Sequence, residues 1–297
     1  MNFCPSIRFV TLPLILICAS AAAEFNMPEY ADAFPEKLDP FTGNWTGQWT
    51  NSDKDDPELS AQIYPLGDNA YRVIIKHRFD VRCPIMHQVD ATANGDTLEF
   101  KNEFFHGTIS NDRFAGGSDA EGFNFEMKRV VVESPTLGKK PPRGAVKLFN
   151  GKNMDHWRDT RGWFMTDWGT FVVTPGAPDL LTAERYRDVQ LHIEFRLPYR
   201  PSKRDQNRGN SGVHFQSAYE VQILDSFGLE GVYNECGALY KIAAPKVNVC
   251  SPPLQWQTFD VTFTGPRFSK KGEMQSVGKM TVHHNGVLVH HEVELPW

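Results

Sequence analysis

The stretch Gly209–Asp225, GNSGVHFQSAYEVQILD, concentrates polar side chains: His214, Glu220 and Asp225, which can move protons, and the hydrogen-bonding amides Asn210, Gln216 and Gln222. Residues two apart share a strand face, so Glu220 and Gln222 project together. His214 and Gln216 match their parity if the strand continues. Glu194 projects in the same way from the strand-patterned run Gln190–Leu197, QLHIEFRL, and Asp225 ends the Glu220–Asp225 run. Lys241, in GALYK, offers a fixed cation for a developing negative charge. His284 and Asn285 sit at a predicted hairpin tip. Each has a plainer role to weigh against the chemical one. Glu194 could pair with a neighbouring arginine on a solvated face, Asn210 and Asn285 could serve only as turn residues, Lys241 could be surface charge, and His214 could be a packed strand residue.

The elements that would hold these residues are strands. Leu191, Ile193, Phe195 and Leu197 alternate with His192, Glu194 and Arg196, and Phe259, Val261 and Phe263 alternate with Asp260, Thr262 and Thr264. Such a pattern buries one face and leaves a polar row on the other, as in a two-sheet sandwich. Asn285-Gly286 marks a two-residue hairpin turn. His284 then pairs with Val287, His283 with Leu288, Val282 with Val289 and Thr281 with His290, putting His283 and His290 on one face and His284 and His291 on the other. Four histidines on one hairpin suggest a metal, yet no carboxylate stands at a fixed ligand spacing. A divalent metal is therefore only an option, with no ligand set.

Upstream, short runs alternate with turn signals: Trp45–Thr50, Leu59–Tyr64, Ala70–Phe79, Thr97–Asn102 and Gly122–Val130. Residues 40–131 are expected to form a small antiparallel β-barrel or sandwich. Its opening Gly43-x-Trp45-x-Gly47-x-Trp49 places both tryptophans on one strand face and loosely resembles the first strand of lipocalin-like barrels. Residues 132–145, with three prolines, two glycines and three basic residues, are expected to be a linker.

Residues 1–23 combine Arg8, the apolar run Phe9–Cys18 and Ala21-Ala22-Ala23, which is the pattern of a secretory signal. The run is short for a membrane span, which needs ~20 residues. The expectation is a protein starting near Glu24 in the periplasm or outside the cell, with no membrane span after signal removal. In that oxidising setting Cys236 and Cys250, in one loop-rich stretch, are the expected disulfide, with two reduced buried thiols as the alternative. Cys83 is then the odd thiol. Over 297 residues the net charge is −5 with 31 basic and 36 acidic residues, which argues against a nucleic-acid partner. No glycine loop for a nicotinamide cofactor stands out.

Three blocks carry a family resemblance: VKLFNGKNMDHW at Val146–Trp157, the Gly209–Asp225 stretch, and Cys236–Phe263 through GALYKIAAP and WQTFDVTF, continuing to HHNGVLVH. Together they resemble the 3-keto-disaccharide hydrolase domain family over residues 146–297. The resemblance implies a concanavalin A-like (jelly-roll) β-sandwich, hence an all-β chain. It also implies an exported enzyme acting on glycosides or oligosaccharides oxidised at C3, by elimination and then hydration. Glu220, Glu194 and Asp225 are the candidate catalytic residues. Asn210, His214, Gln216, Gln222, Lys241, His284 and Asn285 are the candidate substrate-binding residues. The alternative is a carbohydrate-binding, lectin-like protein without turnover, since fold does not fix function.

Glu220-Val-Gln222-Ile-Leu-Asp225 is also similar to the bulged Glu-x-Asp-x-Glu of laminarinase-type glucanases, but Gln replaces the middle Asp and Asp replaces the second Glu. Ordinary retaining hydrolysis needs two carboxyl groups ~5 Å apart, which that change weakens. Family members usually run on past Glu-Leu-Pro, so the sandwich is expected to be truncated at its C-terminus, with an open sheet edge.

Overall fold

The computed structural model describes residues 8–13, 35, 38–50, 57–120, 122–166 and 169–296. The first strand, β1 (Arg8–Pro13), joins the sheet of the C-terminal half. Eight strands then close a barrel: β2 (Gly43–Thr50), β3 (Glu58–Gly67), β4 (Ala70–Lys76), β5 (His87–Asn94), β6 (Thr97–Lys101), β7 (His106–Ser110), β8 (Arg113–Ser118) and β9 (Phe123–Val130). Each is antiparallel to the next and β9 returns to β2, which leaves the barrel no free edge. Trp45 and Trp49 both point inward, among Phe105, Phe114 and Phe125. Gly47 lies between them because an added Cβ would stand 1.8 Å from the Glu126 carbonyl oxygen of β9.

The C-terminal half is built on a six-stranded sheet. Its strands are β10 (Val146–Lys147), β1, β15 (Asp188–Arg196), β18 (Trp256–Thr264), β21 (Gly278–His284) and β22 (Val287–Leu295), in that spatial order. Between β10 and β15 the chain forms β11 (Trp157–Arg158), β12 (Trp163–Met165), β13 (Phe171–Val173) and β14 (Leu181–Thr182). A hairpin follows, β16 (Ser211–Phe215) with β17 (Tyr219–Ile223). A short ribbon, β19 (Arg267–Phe268) with β20 (Met274–Ser276), precedes β21. The alternation in β15 works as expected: Val189, Leu191, Ile193 and Phe195 face a buried core with Phe259, Val261, Phe263, Met280 and Val282. The β16–β17 hairpin closes over that core, with the Phe215 ring 5.2 Å from Phe263. The chain is therefore all-β, a closed barrel followed by a jelly-roll-type sandwich.

The register of the last hairpin is a correction. His284 pairs with Val287 and His283 with Leu288, but Val282 then pairs with His290 rather than Val289. A bulge inserts one residue in β22, which moves His290 to the other face, and a second shift between Met280 and Val282 restores the parity beyond it. His284 and His290 are consequently both buried, while His291 is exposed. Among the described residues no group of three or more His, Cys, Asp or Glu is arranged to hold a metal ion.

Residues 132–145 form a strap against the outer face of the sheet. Ser134 and Thr136 hydrogen-bond Thr258, Thr136 donates to Asp260 and the Gly138 N–H donates to Glu194 at 2.6 Å. Barrel and sandwich touch directly. Tyr64 and Ile74 pack on Phe227, and Arg82 donates to the carbonyls of Gly231, Pro245 and Lys246. Tyr199 donates to Asp39 at 2.5 Å.

Most of residues 1–23 lie outside the described residues. Arg8–Pro13, as β1, runs parallel to β15 from Arg8↔Val189 to Pro13↔Glu194, and to β10 at Val10↔Val146. Among the described residues no helix is long and apolar enough to cross a membrane.

Candidate active site

A cleft of about 1310 Å³ opens between the β16–β17 hairpin and the loop Thr174–Leu180. It is larger than the roughly 300–1,000 Å³ of ordinary small-molecule pockets. Leu191 and Ile193 contribute apolar floor, and Trp157 and Trp163 apolar wall. Each indole is fixed by its N–H, Trp157 to the Leu148 carbonyl and Trp163 to the Pro178 carbonyl.

Glu220 sits in this cleft, opposite His214 across the β16–β17 rung. Its Oε2 lies 3.6 Å from His214 Nε2, with the Glu220 side chain 20% exposed and that of His214 47%. Burial raises the Glu220 carboxyl above the usual carboxylate range. The His214 charge opposes that rise and the nearby Asp179 carboxylate adds to it. A half-buried carboxyl with a raised pKa in a cleft is a candidate acid–base group.

Gln222 is buried behind the cleft. Its Nε2 donates to Gln206 Oε1 at 2.9 Å and to Asn210 Oδ1 at 3.3 Å. Asn210 and Gln206 both line the cleft, so Gln222 supports cleft amides from beneath. Gln216 lies in the turn of the hairpin at the cleft rim, with its Nε2 3.4 Å from the Arg187 carbonyl.

The remaining candidates lie elsewhere. Asp225 is fully buried and accepts from Arg208 Nε at 2.6 Å. Burial pushes its carboxyl up and Arg208 opposes this. Glu194 points from the opposite face of β15, against the strap, with His192 Nε2 at 3.3 Å. His284 is a core residue whose Nε2 lies 2.9 Å from Gln257 Oε1, and burial alone lowers its pKa to about 3. Asn285 ties loops together: it accepts from the Thr258 N–H and donates to the Val249 carbonyl and Ser251 Oγ. Lys241 is exposed, with its ammonium 5.1 Å from the Tyr240 ring centroid. Cys236 and Cys250 are buried free thiols, close enough that Cys236, after burial, helps raise the Cys250 pKa.

The structure thus groups Glu220, His214, Asn210 and Gln216 in one cleft, supported by Gln222, and separates them from Asp225, Glu194, His284, Asn285 and Lys241. It adds Asp179, which sequence reasoning passed over. That residue lies in the aperiodic loop TPGAPDL, where no strand or helix period marks a direction.

The fold is an all-β sandwich with a wide cleft, and its class comes from the family match. The chain belongs to the 3-keto-alpha-glucoside-1,2-lyase-like domain family, which matches residues 144–297. A solved crystal structure from Parabacteroides distasonis ATCC 8503, provisionally named a glycosyl hydrolase, is 32% identical to the chain. The match covers 52% of this chain and 67% of that one, with a TM-score of 0.48. No curated protein matches the chain.

Proposed function

We propose that the C-terminal domain cleaves glycosides oxidised at C3, in an exported protein, and that Glu220 is its central acid–base group. The observation carrying this reading is the half-buried Glu220, with its raised pKa, facing His214 in the cleft. A C3 ketone acidifies the C2 proton. Glu220 as carboxylate takes that proton, the C1–O bond breaks, and a C1=C2 enol remains. His214 as imidazolium gives its proton to the departing oxygen. Water then adds back across the double bond. The burial of Asp225 against Arg208 supports elimination over ordinary hydrolysis, since it takes the second carboxyl of the glucanase-like pattern away from the cleft.

The test uses the full chain and a 3-keto-glucoside with a chromogenic aglycone. Wild type should release the aglycone, and Glu220→Gln should lose roughly 10²–10⁴-fold in rate. Sugar binding with no release by wild type would establish the lectin-like alternative instead.

A further inference from the structure

We infer that Gly212 is a positioning residue for Glu220: having no side chain, it lets the carboxylate lie back against β16. This rests on the reading of Glu220 as the acid–base group. In the ladder Gly212 stands opposite Gln222, and Glu220 opposite His214. The carboxylate therefore leans diagonally across the rungs onto the glycine. A Cβ built at position 212 would meet Glu220 Oε1 at 1.9 Å, Cδ at 2.7 Å and Cγ at 2.9 Å, so its three nearest neighbours all belong to that one side chain. No left-handed backbone angle calls for glycine here.

The contrast with Gly47 is informative. There an added Cβ strikes the backbone of a neighbouring strand, and folding itself would suffer. At Gly212 only the mobile end of a side chain is in the way. A methyl group there displaces the carboxylate and leaves the hairpin in place. While Oε1 rests over Gly212, Oε2 faces His214 at 3.6 Å, so moving the carboxylate also breaks its alignment with the imidazole.

The experiment compares wild type, Gly212→Ala, Glu220→Gln, Glu220→Ala and Gly212→Ala/Glu220→Ala. The readouts are kcat, KM, the acid limb of the kcat/KM profile and Tm. Gly212→Ala should lower kcat by about 10–10²-fold, the scale of a 1 Å misplacement, with KM changed less than kcat. Its acid limb should move down toward the ordinary glutamate range, because relief of burial, the larger effect on Glu220, outweighs the weakened His214 charge. Any fall in Tm caused by Gly212→Ala should disappear in the Glu220→Ala background, because the clash partner is gone. That coupling needs no activity, so it holds even if the single variant folds poorly. Wild-type kcat and an unmoved acid limb in Gly212→Ala, with Glu220→Gln inactive, would overturn the positioning role alone. An equal fall in Tm in both backgrounds would overturn it too. Full activity in Glu220→Gln would instead overturn the assignment of Glu220.

Discussion

Two charges act on Glu220 with opposite sign, and each can be removed. His214 lowers the Glu220 pKa and Asp179 raises it, against the larger effect of burial. With Glu220 as base, activity requires its ionised form, so the acid limb of kcat/KM lies above the ordinary glutamate value. His214→Asn should move that limb further up and Asp179→Asn should move it down, as a pH profile of aglycone release would show. Asp225 belongs to stability rather than turnover. Arg208→Ala strands its carboxylate in the interior and should cost about 3–5 kcal/mol in a urea titration. Glu220 and His214 were legible because both lie within one strand-patterned block. The partners of Asp225 and His284 were not. Arg208 and Gln257 reach them through chain reversals of 17 and 27 residues that no local period reveals. The thiols of Cys236 and Cys250 make their own prediction: protein recovered from an oxidising compartment should be lighter by two hydrogens in an intact mass, and an unchanged mass would keep them reduced.

The strap over β15 and β18 is held by a titratable cluster. Burial by itself would lower the His192 pKa, but hydrogen bonds and charges from Asp260 and Glu194 outweigh it and hold the imidazole at about 9. Both carboxyls are in turn held below their ordinary range, against their own burial, by His192 with Gly138 or Thr136. Lys139 also faces Asp260, at 3.5 Å. A histidine raised on folding contributes stability that is complete below about 6.5, its unfolded value, and is lost as pH rises through 9. The lowered carboxyls contribute above their unfolded values, 4.5 for Glu194 and 3.8 for Asp260, and lose it as pH falls further. Strap stability should therefore be greatest between about pH 4.5 and 6.5. Hydrogen exchange at Thr136 and Gly138 should speed up above pH 9, and His192→Asn should flatten that change. A composition rich in proline and glycine pointed to a connection and carried no sign of a packing partner. That it lies flat on a sheet depends on Thr258, Asp260 and Glu194, which are far along the chain. In the barrel, β5 carries a faint apolar signal for a related reason: HQVDATAN alternates half-exposed with exposed residues.

The two domains share more than a tether. Arg82 reaches three carbonyls of the sandwich, and Tyr64 and Ile74 pack on Phe227. Arg82→Ala should separate thermal unfolding into two transitions, read by calorimetry, if this contact couples the domains. An unsplit single transition would place the coupling elsewhere. That both halves are all-β was evident from alternation and turn residues. How they dock was not, because Arg82 meets backbone carbonyls and Tyr64 meets Phe227 far along the chain, and no local pattern marks either.

Strand β1 sets export and architecture in competition for the same six residues. A leader peptide is discarded, yet Arg8–Pro13 lies inside the sheet with neighbours on both sides. Cleavage after Ala23 would strip β15 of its partner along Val189–Glu194 and leave a seam where a foreign extended chain could add itself. The intact mass of the protein recovered after expression with its leader decides between these fates. A start near Glu24 means the mature chain carries that seam, whereas a start at Met1 means the leader has become masonry.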